Sequence, residues 1–343
     1  MLIPFDYQIE AIRLAREAMK HPSRSAIICM LMGAGKTMCA LELMRLASER
    51  DKRSLFMCDR RMLADQAAER AREQGLDAGI IMAGRGIDLK APCQFASKQT
   101  MESWIKREKV DLPEFHLLII DECHRAVSDA YLKLYKRWPN AFRIGLTATP
   151  VLGNGNGMGA YYGSLIQPIM PSKLRDLGRT VPVRCYAPHM PNLDGIKKDK
   201  DGDYNRNALA DRMKRENMVG DIAGWWKKFA EGRKSIYFAC DIAHAIAIRD
   251  EFRAANVSAE MICDETSDEE RQRIKRDCER GLIDVVVNCD VMAEGIDWPF
   301  ISCIGLVRPT KRLRRYLQMA GRGMRAFLGK ADCVLIDHAG CVL

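Results

Sequence analysis

No part of this 343-residue chain is a continuous apolar run near the roughly 18 residues that would cross a bilayer. The amino terminus, Met1-Leu2-Ile3-Pro4-Phe5-Asp6, has no basic region leading into an apolar core of signal-peptide length. No membrane association is expected, and the chain reads as cytoplasmic. No C-x-x-C pair occurs. The thirteen cysteines are scattered singly, mostly inside apolar segments (Cys29, Cys58, Cys240, Cys289, Cys303), so buried free thiols are expected rather than zinc or disulfides. Also missing are an N-K-x-D guanine reader, a zinc finger and an aromatic-rich platform for single strands. One further absence is local: Arg308 to Arg325 carries seven basic residues and no acid, within a chain of net charge +9. Such a run is either a solvated face or a surface that meets phosphates or a partner.

What is present has the rhythm of an α/β protein. At this length two domains are expected, each with its own core. Short apolar segments, Ser25 to Leu31, Ser54 to Cys58, Ala78 to Met82, Cys93 to Ala96, Leu117 to Ile120 and Phe142 to Leu146, read as strands. Between them Arg61 to Gln74 and Ser128 to Trp138 have helical spacing, so a parallel sheet covered on both faces is predicted. The glycine-rich stretch Gly153 to Gly159 interrupts the pattern and should be mobile. Five prolines from Pro168 to Pro191 and a charged segment, Lys197 to Asp203, follow, where one sheet should end and another begin. The alternation then resumes from Ser235 to Ile336, which predicts domains over 1–178 and 179–343.

The stretch Met30-Leu31-Met32-Gly33-Ala34-Gly35-Lys36-Thr37 lies between an apolar strand and a helical pattern, Met38 to Ser48. Glycines there let backbone N–H groups turn towards a polyphosphate, Lys36 can reach the outer phosphates, and Thr37 offers a hydroxyl to magnesium. Met30 stands where the usual pattern has its first glycine. Leu117 to Ile120 ends in Asp121-Glu122-Cys123-His124. Ligands of an open parallel sheet sit beyond the carboxyl ends of its strands, so both acids should emerge beside Lys36 and Thr37. One would hold Mg2+ and the other would orient or deprotonate a water.

The order of Tyr7-Gln8, the G-A-G-K-T loop, Asp121 to His124, Thr147-Ala148-Thr149-Pro150, Glu294-Gly295-Ile296-Asp297 and Gln318 to Arg325 resembles the motif series of superfamily 2 helicases. Among these it looks most like the DEAD/DEAH-type (DECH-box) proteins of phages and bacteria related to DNA-repair helicases and restriction-enzyme motor subunits. The resemblance implies two tandem RecA-like domains, with ATP and Mg2+ in the cleft between them. It also implies hydrolysis coupled to movement along nucleic acid, with DNA favoured over RNA, by a monomer; the alternatives are a motor subunit of a restriction, repair or defence assembly that translocates without unwinding, and an RNA helicase. In that scheme Gln8 reads the adenine edge. Phe5, in the place of a common arginine, or Tyr7 either stacks on the base or packs in the core. Gly33, Ala34, Gly35, Lys36 and Thr37 cradle the phosphates, and Thr37 and Asp121 hold the metal. Glu122 acts on the water, and Arg322 and Arg325, three residues apart and so on one face of a helical turn, act as arginine fingers. Gly295 and Asp297 sense nucleotide, while His124, Thr147, Thr149 and Gln318 couple it to closure. Strand-end loops carrying Arg60, Ser97, Gln99 and Asn288 map to the nucleic-acid grip. Relatives continue past the last strand, so the resemblance implies either a minimal core or a further C-terminal module that supplies specificity, with protein partners as another expectation.

Overall fold

The computed structural model describes residues 3–59, 61–82, 88–107, 112–125, 129–152, 155–188, 191–199, 203–205, 208–209, 211–212, 221–289 and 298–342. The chain divides into two units, Met1–Lys173 and Leu174–Leu343.

The first unit is built on strands β1 (Ser25–Cys29), β2 (Ser54–Cys58), β3 (Ala78–Ile81), β4 (Cys93–Ser97), β5 (Leu117–Asp121), β6 (Phe142–Thr147) and β7 (Ser164–Ile166). They form one sheet in the order β3-β4-β2-β5-β6-β1-β7, and every pairing is parallel. Continuous apolar strands need both faces covered, and they are. Ile27, Leu55, Met57, Leu118 and Ile120 pack into one cluster with Tyr131, Leu134 and Trp138. The alternate residues Ile28, Phe56 and Ile119 are equally buried.

The second unit carries β8 (Val183–Tyr186), β9 (Ser235–Phe238), β10 (Ala259–Ile262), β11 (Val285–Asn288), β12 (Cys303–Leu306) and β13 (Cys333–Asp337), ordered β10-β11-β9-β12-β13-β8 and again all parallel. Period-two alternation sends Tyr237 into a cluster with Trp226 and Phe252, while its neighbour Phe238 joins Ile274 and Met319 in another. Helices on both faces account for the two cores.

Two features depart from the sequence reading. The first sheet continues past the glycine-rich stretch, because β7, which the apolar pattern does not mark, follows it and pairs with β1. Its described residues are tied rather than loose: Val151 bridges Gly157, and Leu152 N donates to Asn156 O. The basic run from Arg308 is partly answered within its own chain by Asp203, which is buried. Asp203 accepts from Thr310 Oγ1 (2.9 Å), Lys311 N (2.9 Å) and Arg315 Nη1 (2.8 Å). All thirteen cysteines are free thiols. No helix among the described residues is long and apolar enough to cross a membrane.

Candidate functional site

Three neighbouring strands, β5, β6 and β1, deliver the sequence-predicted residues of the first unit to one end of the sheet. After β1, Met30 N donates to Thr147 O at the end of β6 (3.1 Å), and the chain turns through Gly33 and Gly35, with φ of 81° and 83°. These left-handed values suit glycine, which has no Cβ to clash. The helix Lys36–Ser48 then starts with Gly35 as its N-cap and no side-chain cap. Its first N–H groups thus have no intrahelical acceptor and point towards a site for anions. The Lys36 ammonium is folded onto its own loop, donating to Met30 O (3.0 Å) and Leu31 O (3.3 Å). Thr37 is half-buried one residue further on.

The helix Asp6–Ala18 is docked on this turn through Ala34. Tyr7 Oη and Gln8 Nε2 both donate to Ala34 O, at 3.1 and 3.0 Å, and Gln8 Oε1 accepts from Phe5 N (2.9 Å). The Gln8 amide occupies the space that a Cβ on Gly35 would need. Phe5 remains exposed and stacks on Tyr7, with ring centroids 5.8 Å apart, while Tyr7 itself is buried.

Asp121 is the last residue of β5, and its carboxylate accepts from Glu122 N (3.1 Å). Burial pushes its pKa above the ordinary aspartate range, the Lys36 charge opposes the shift, and Asp59 adds to it. Glu122 adopts a left-handed backbone, φ 47°, uncommon for a residue with a side chain. His124 Nδ1 lies 2.9 Å from Thr147 Oγ1 and 3.3 Å from Glu122 Oε2. The Thr147 hydroxyl gives its hydrogen to Thr149 O (3.0 Å) and also accepts from Thr149 N (3.0 Å). It can therefore only accept from His124, which places the imidazole hydrogen on Nδ1. Glu122, His124, Thr147 and Thr149 form one continuous polar chain across β5 and β6.

The carboxylate of Asp59, just after β2, accepts from Arg125 Nη1 (2.6 Å), and its charge reaches Asp121. The usable signal was the adjacency of β2 and β5, whose ends bring Asp59 beside the Asp121 segment. Ser97 and Gln99 are not on a loop, because β4 ends at Ser97 and the helix Lys98–Arg107 follows directly. Ser97 is buried, its hydroxyl 2.9 Å from Thr100 Oγ1, whereas Gln99 is exposed. Asn288 ends β11 and is buried. Arg60, Gly295 and Asp297 lie outside the described residues.

In the second unit the helix Leu313–Ala320 carries Gln318, which is buried. The helix stops before Arg322, and the two arginines do not share a helical face, contrary to the spacing argument. Arg322 sits in a tight turn, Arg322 N donating to Met319 O (3.2 Å), and Arg325 is already extended and bridged to Thr180. Gly323 fixes that turn, since a Cβ there would collide with Cys333 and Ile304. Lys330 Nζ holds the Arg325 carbonyl (2.9 Å) together with those of Pro299 (3.1 Å) and Ile301.

Residues 1–152 match the family model for the type III restriction enzyme, res subunit, and residues 216–327 match that for the helicase conserved C-terminal domain. A 51.5 kDa protein of a Lactococcus phage (isolate 7-9) is 29% identical over 307 residues, covering 89% of this chain and 64% of the relative. A protein named as a mitochondrial ATP-dependent helicase of Schizosaccharomyces pombe is 26% identical over 357 residues, covering 96% of this chain and 56% of the relative. Among solved structures, a fragment assigned as the HsdR subunit of a type I restriction enzyme from Vibrio vulnificus YJ016 superposes with a TM-score of 0.75 at 22% identity, over 100% of this chain and 65% of that one. The chain thus spans less than two thirds of these relatives, and its two parallel sheets are tandem RecA-like domains.

Proposed function

We propose that this chain, which belongs to helicase superfamily 2, is an ATP-driven motor that moves along nucleic acid, with DNA as its track. The observation that carries the reading is the strand-end constellation of the first unit. An uncapped helix start behind two left-handed glycines lies at the same end of the sheet as the half-buried Asp121 carboxylate at the end of β5, which feels the Lys36 charge.

The residues present fit magnesium and a triphosphate. Among the described residues no group of three or more His, Cys, Asp or Glu side chains gathers into a metal cage. Magnesium does not need one, because it keeps waters and binds through one or two protein oxygens plus substrate phosphates. Thr37 and Asp121 would supply those oxygens, and the metal would neutralise charge on the outer phosphates. Lys36 exchanges two loop carbonyls for phosphate oxygens. Glu122 orients the attacking water and accepts its proton, and the relay through His124 to Thr147 and Thr149 reports that event to β6. Gln8 reads the base, with Phe5 or Tyr7 beside it. Arg322 and Arg325 supply positive charge to the phosphoryl group in transfer, where an arginine finger contributes roughly 10³ to 10⁵ in rate. Gln318 couples that step to closure, and Gly295 and Asp297 complete the sensing of nucleotide.

DNA is favoured because the matched family and the superposed structure are named for restriction enzymes, which act on DNA. The same finding favours a second reading, a motor subunit that translocates without separating strands. Gln99, exposed at the first turn of its helix, is a side chain that a strand can touch directly; Ser97, Asn288 and Arg60 complete the proposed grip.

The test is ATP turnover measured alone and with single-stranded DNA, duplex DNA or RNA. Stimulation by DNA above RNA is expected, and no stimulation by any of them would refute a motor. Displacement of a triplex strand without duplex opening would select the second reading. Arg325→Ala should lose turnover while keeping most of the ATP affinity.

A further inference from the structure

At the opposite end of the first sheet from the phosphate loop lies a cavity of about 390 Å³. It sits where β5 and β6 begin, at Leu117 and Phe142, and beside Arg24 just before β1. The five-residue β1 separates it from the phosphate loop by about 16 Å at 3.3 Å per residue. Its apolar lining includes Leu43, Leu46 and Phe142, and His116 and Asn140 add polar groups. Its rim carries Arg16, Arg24, Arg50 and Lys52, and no acid lines it.

The contrast with nearby arginines is informative. Arg13, on the same helix as Arg16, is paired with Glu10 and Glu17, and Arg45, a turn before Arg50, is paired with Glu42 and Glu49. Among the described residues none of the four rim cations has a carboxylate partner. Of the arginines on these two helices, Arg13 and Arg45 are neutralised and Arg16, at the cavity, is not. Unscreened cations around an apolar hollow are complementary to carboxylates flanking an apolar side chain.

We propose that this cavity is a docking pocket for an acidic segment of a partner protein, with one large apolar side chain seated on Leu43, Leu46 and Phe142 and acids on both sides meeting the rim. A nucleic-acid strand is the poorer occupant. Contacts to phosphate and sugar use Arg and Lys as well as hydroxyls, amides and N–H groups; the rim could supply these, but such a strand would leave the aliphatic and aromatic carbon of Leu43, Leu46 and Phe142 unused. At 390 Å³ the hollow falls at the small end of ligand cavities, roughly 300–1,000 Å³. The proposal stands independently of the ATP site.

The test uses the full chain and a fluorescein-labelled decapeptide with four acids on each side of a Phe-Leu pair, followed by fluorescence anisotropy. Saturable binding is expected, weakened at least tenfold by Arg50→Glu/Lys52→Glu and at least tenfold when Phe-Leu is replaced by Ser-Ser, with ATP turnover and thermal midpoint unchanged in the variant. A peptide carrying a photoreactive phenylalanine should cross-link to the Leu43 to Lys52 segment of the unaltered protein, which tests the site even if the variant folds poorly. Equal binding of the Ser-Ser peptide, no saturable binding at 1 mM, cross-linking elsewhere, or a matching tenfold loss of single-stranded DNA binding in the variant would each overturn the proposal.

Discussion

The two units share an all-parallel architecture, but the helix that follows the first unit's glycine turn begins differently from two helices of the second unit. In the first, Lys36–Ser48 starts at Gly35, whose backbone is left-handed and which offers no side-chain cap. In the second, Ile242–Ala254 starts at Asp241, whose side chain accepts from His244 N (2.7 Å), and Asp268–Arg280 starts at Ser267, which accepts from Glu270 N (3.2 Å). A helix that caps itself has already satisfied the donors a phosphate would need. The first unit leaves the start of Lys36–Ser48 without a side-chain cap and keeps Lys36 on its own loop carbonyls. The second unit has a buried arginine, Arg322, in a tight turn and another, Arg325, whose carbonyl accepts from Lys330 Nζ.

Several substitutions would break or sharpen this contrast. The largest effect is expected from Glu122→Gln, which keeps the side-chain shape but cannot take a proton. Phosphate release should fall about 10²- to 10⁴-fold, while ATP still binds in equilibrium dialysis. Lys36→Ala should follow, with turnover down about 10²- to 10³-fold and weaker nucleotide binding. It should also remove the charge that opposes the upward shift of Asp121, so any residual activity should need a higher pH. Asp241→Ala should do the reverse of both. Loss of a self-supplied cap costs about 1 kcal/mol, visible in denaturant unfolding of the second unit, with ATP turnover unchanged. Altered turnover there would mean that Asp241 belongs to the site.

The smallest effect is one of pH. Burial is the main reason that the Lys330 pKa falls to about 8 from 10.5. Between those values the unfolded chain holds a proton that the folded chain has released, so this residue makes stability rise with pH across that window. Lys330→Met should flatten the rise when its unfolding midpoint is compared with that of the parent from pH 7.5 to 10.5. An identical pH dependence in the two proteins would contradict the depressed lysine.

Most of the fold was legible because its central strands are buried on both faces and read as unbroken apolar runs. The strands that escaped were β7 and β8. Both stand at sheet edges, with Leu165 and Val183 exposed, and so lack the pattern that marks a core strand. The first unit's site was legible for a different reason: its chemistry is packed into short motifs at strand ends, and β5, β6 and β1 are neighbours. The Asp59–Arg125 pair was not, since it joins residues far apart in sequence through strand order alone. The helical placing of Arg325 failed because spacing cannot see Gly323 pressed against Cys333 and Ile304, nor Lys330 holding the Arg325 carbonyl.

The backbone at Glu122 carries a consequence beyond catalysis. With φ at 47°, the position penalises any side chain branched at Cβ before chemistry is considered. A saturation library sorted only for foldedness should therefore already be depleted of valine, isoleucine and threonine at 122, and tolerant of glycine and asparagine. Selecting that library again for turnover would separate what the chain's geometry forbids from what the reaction demands.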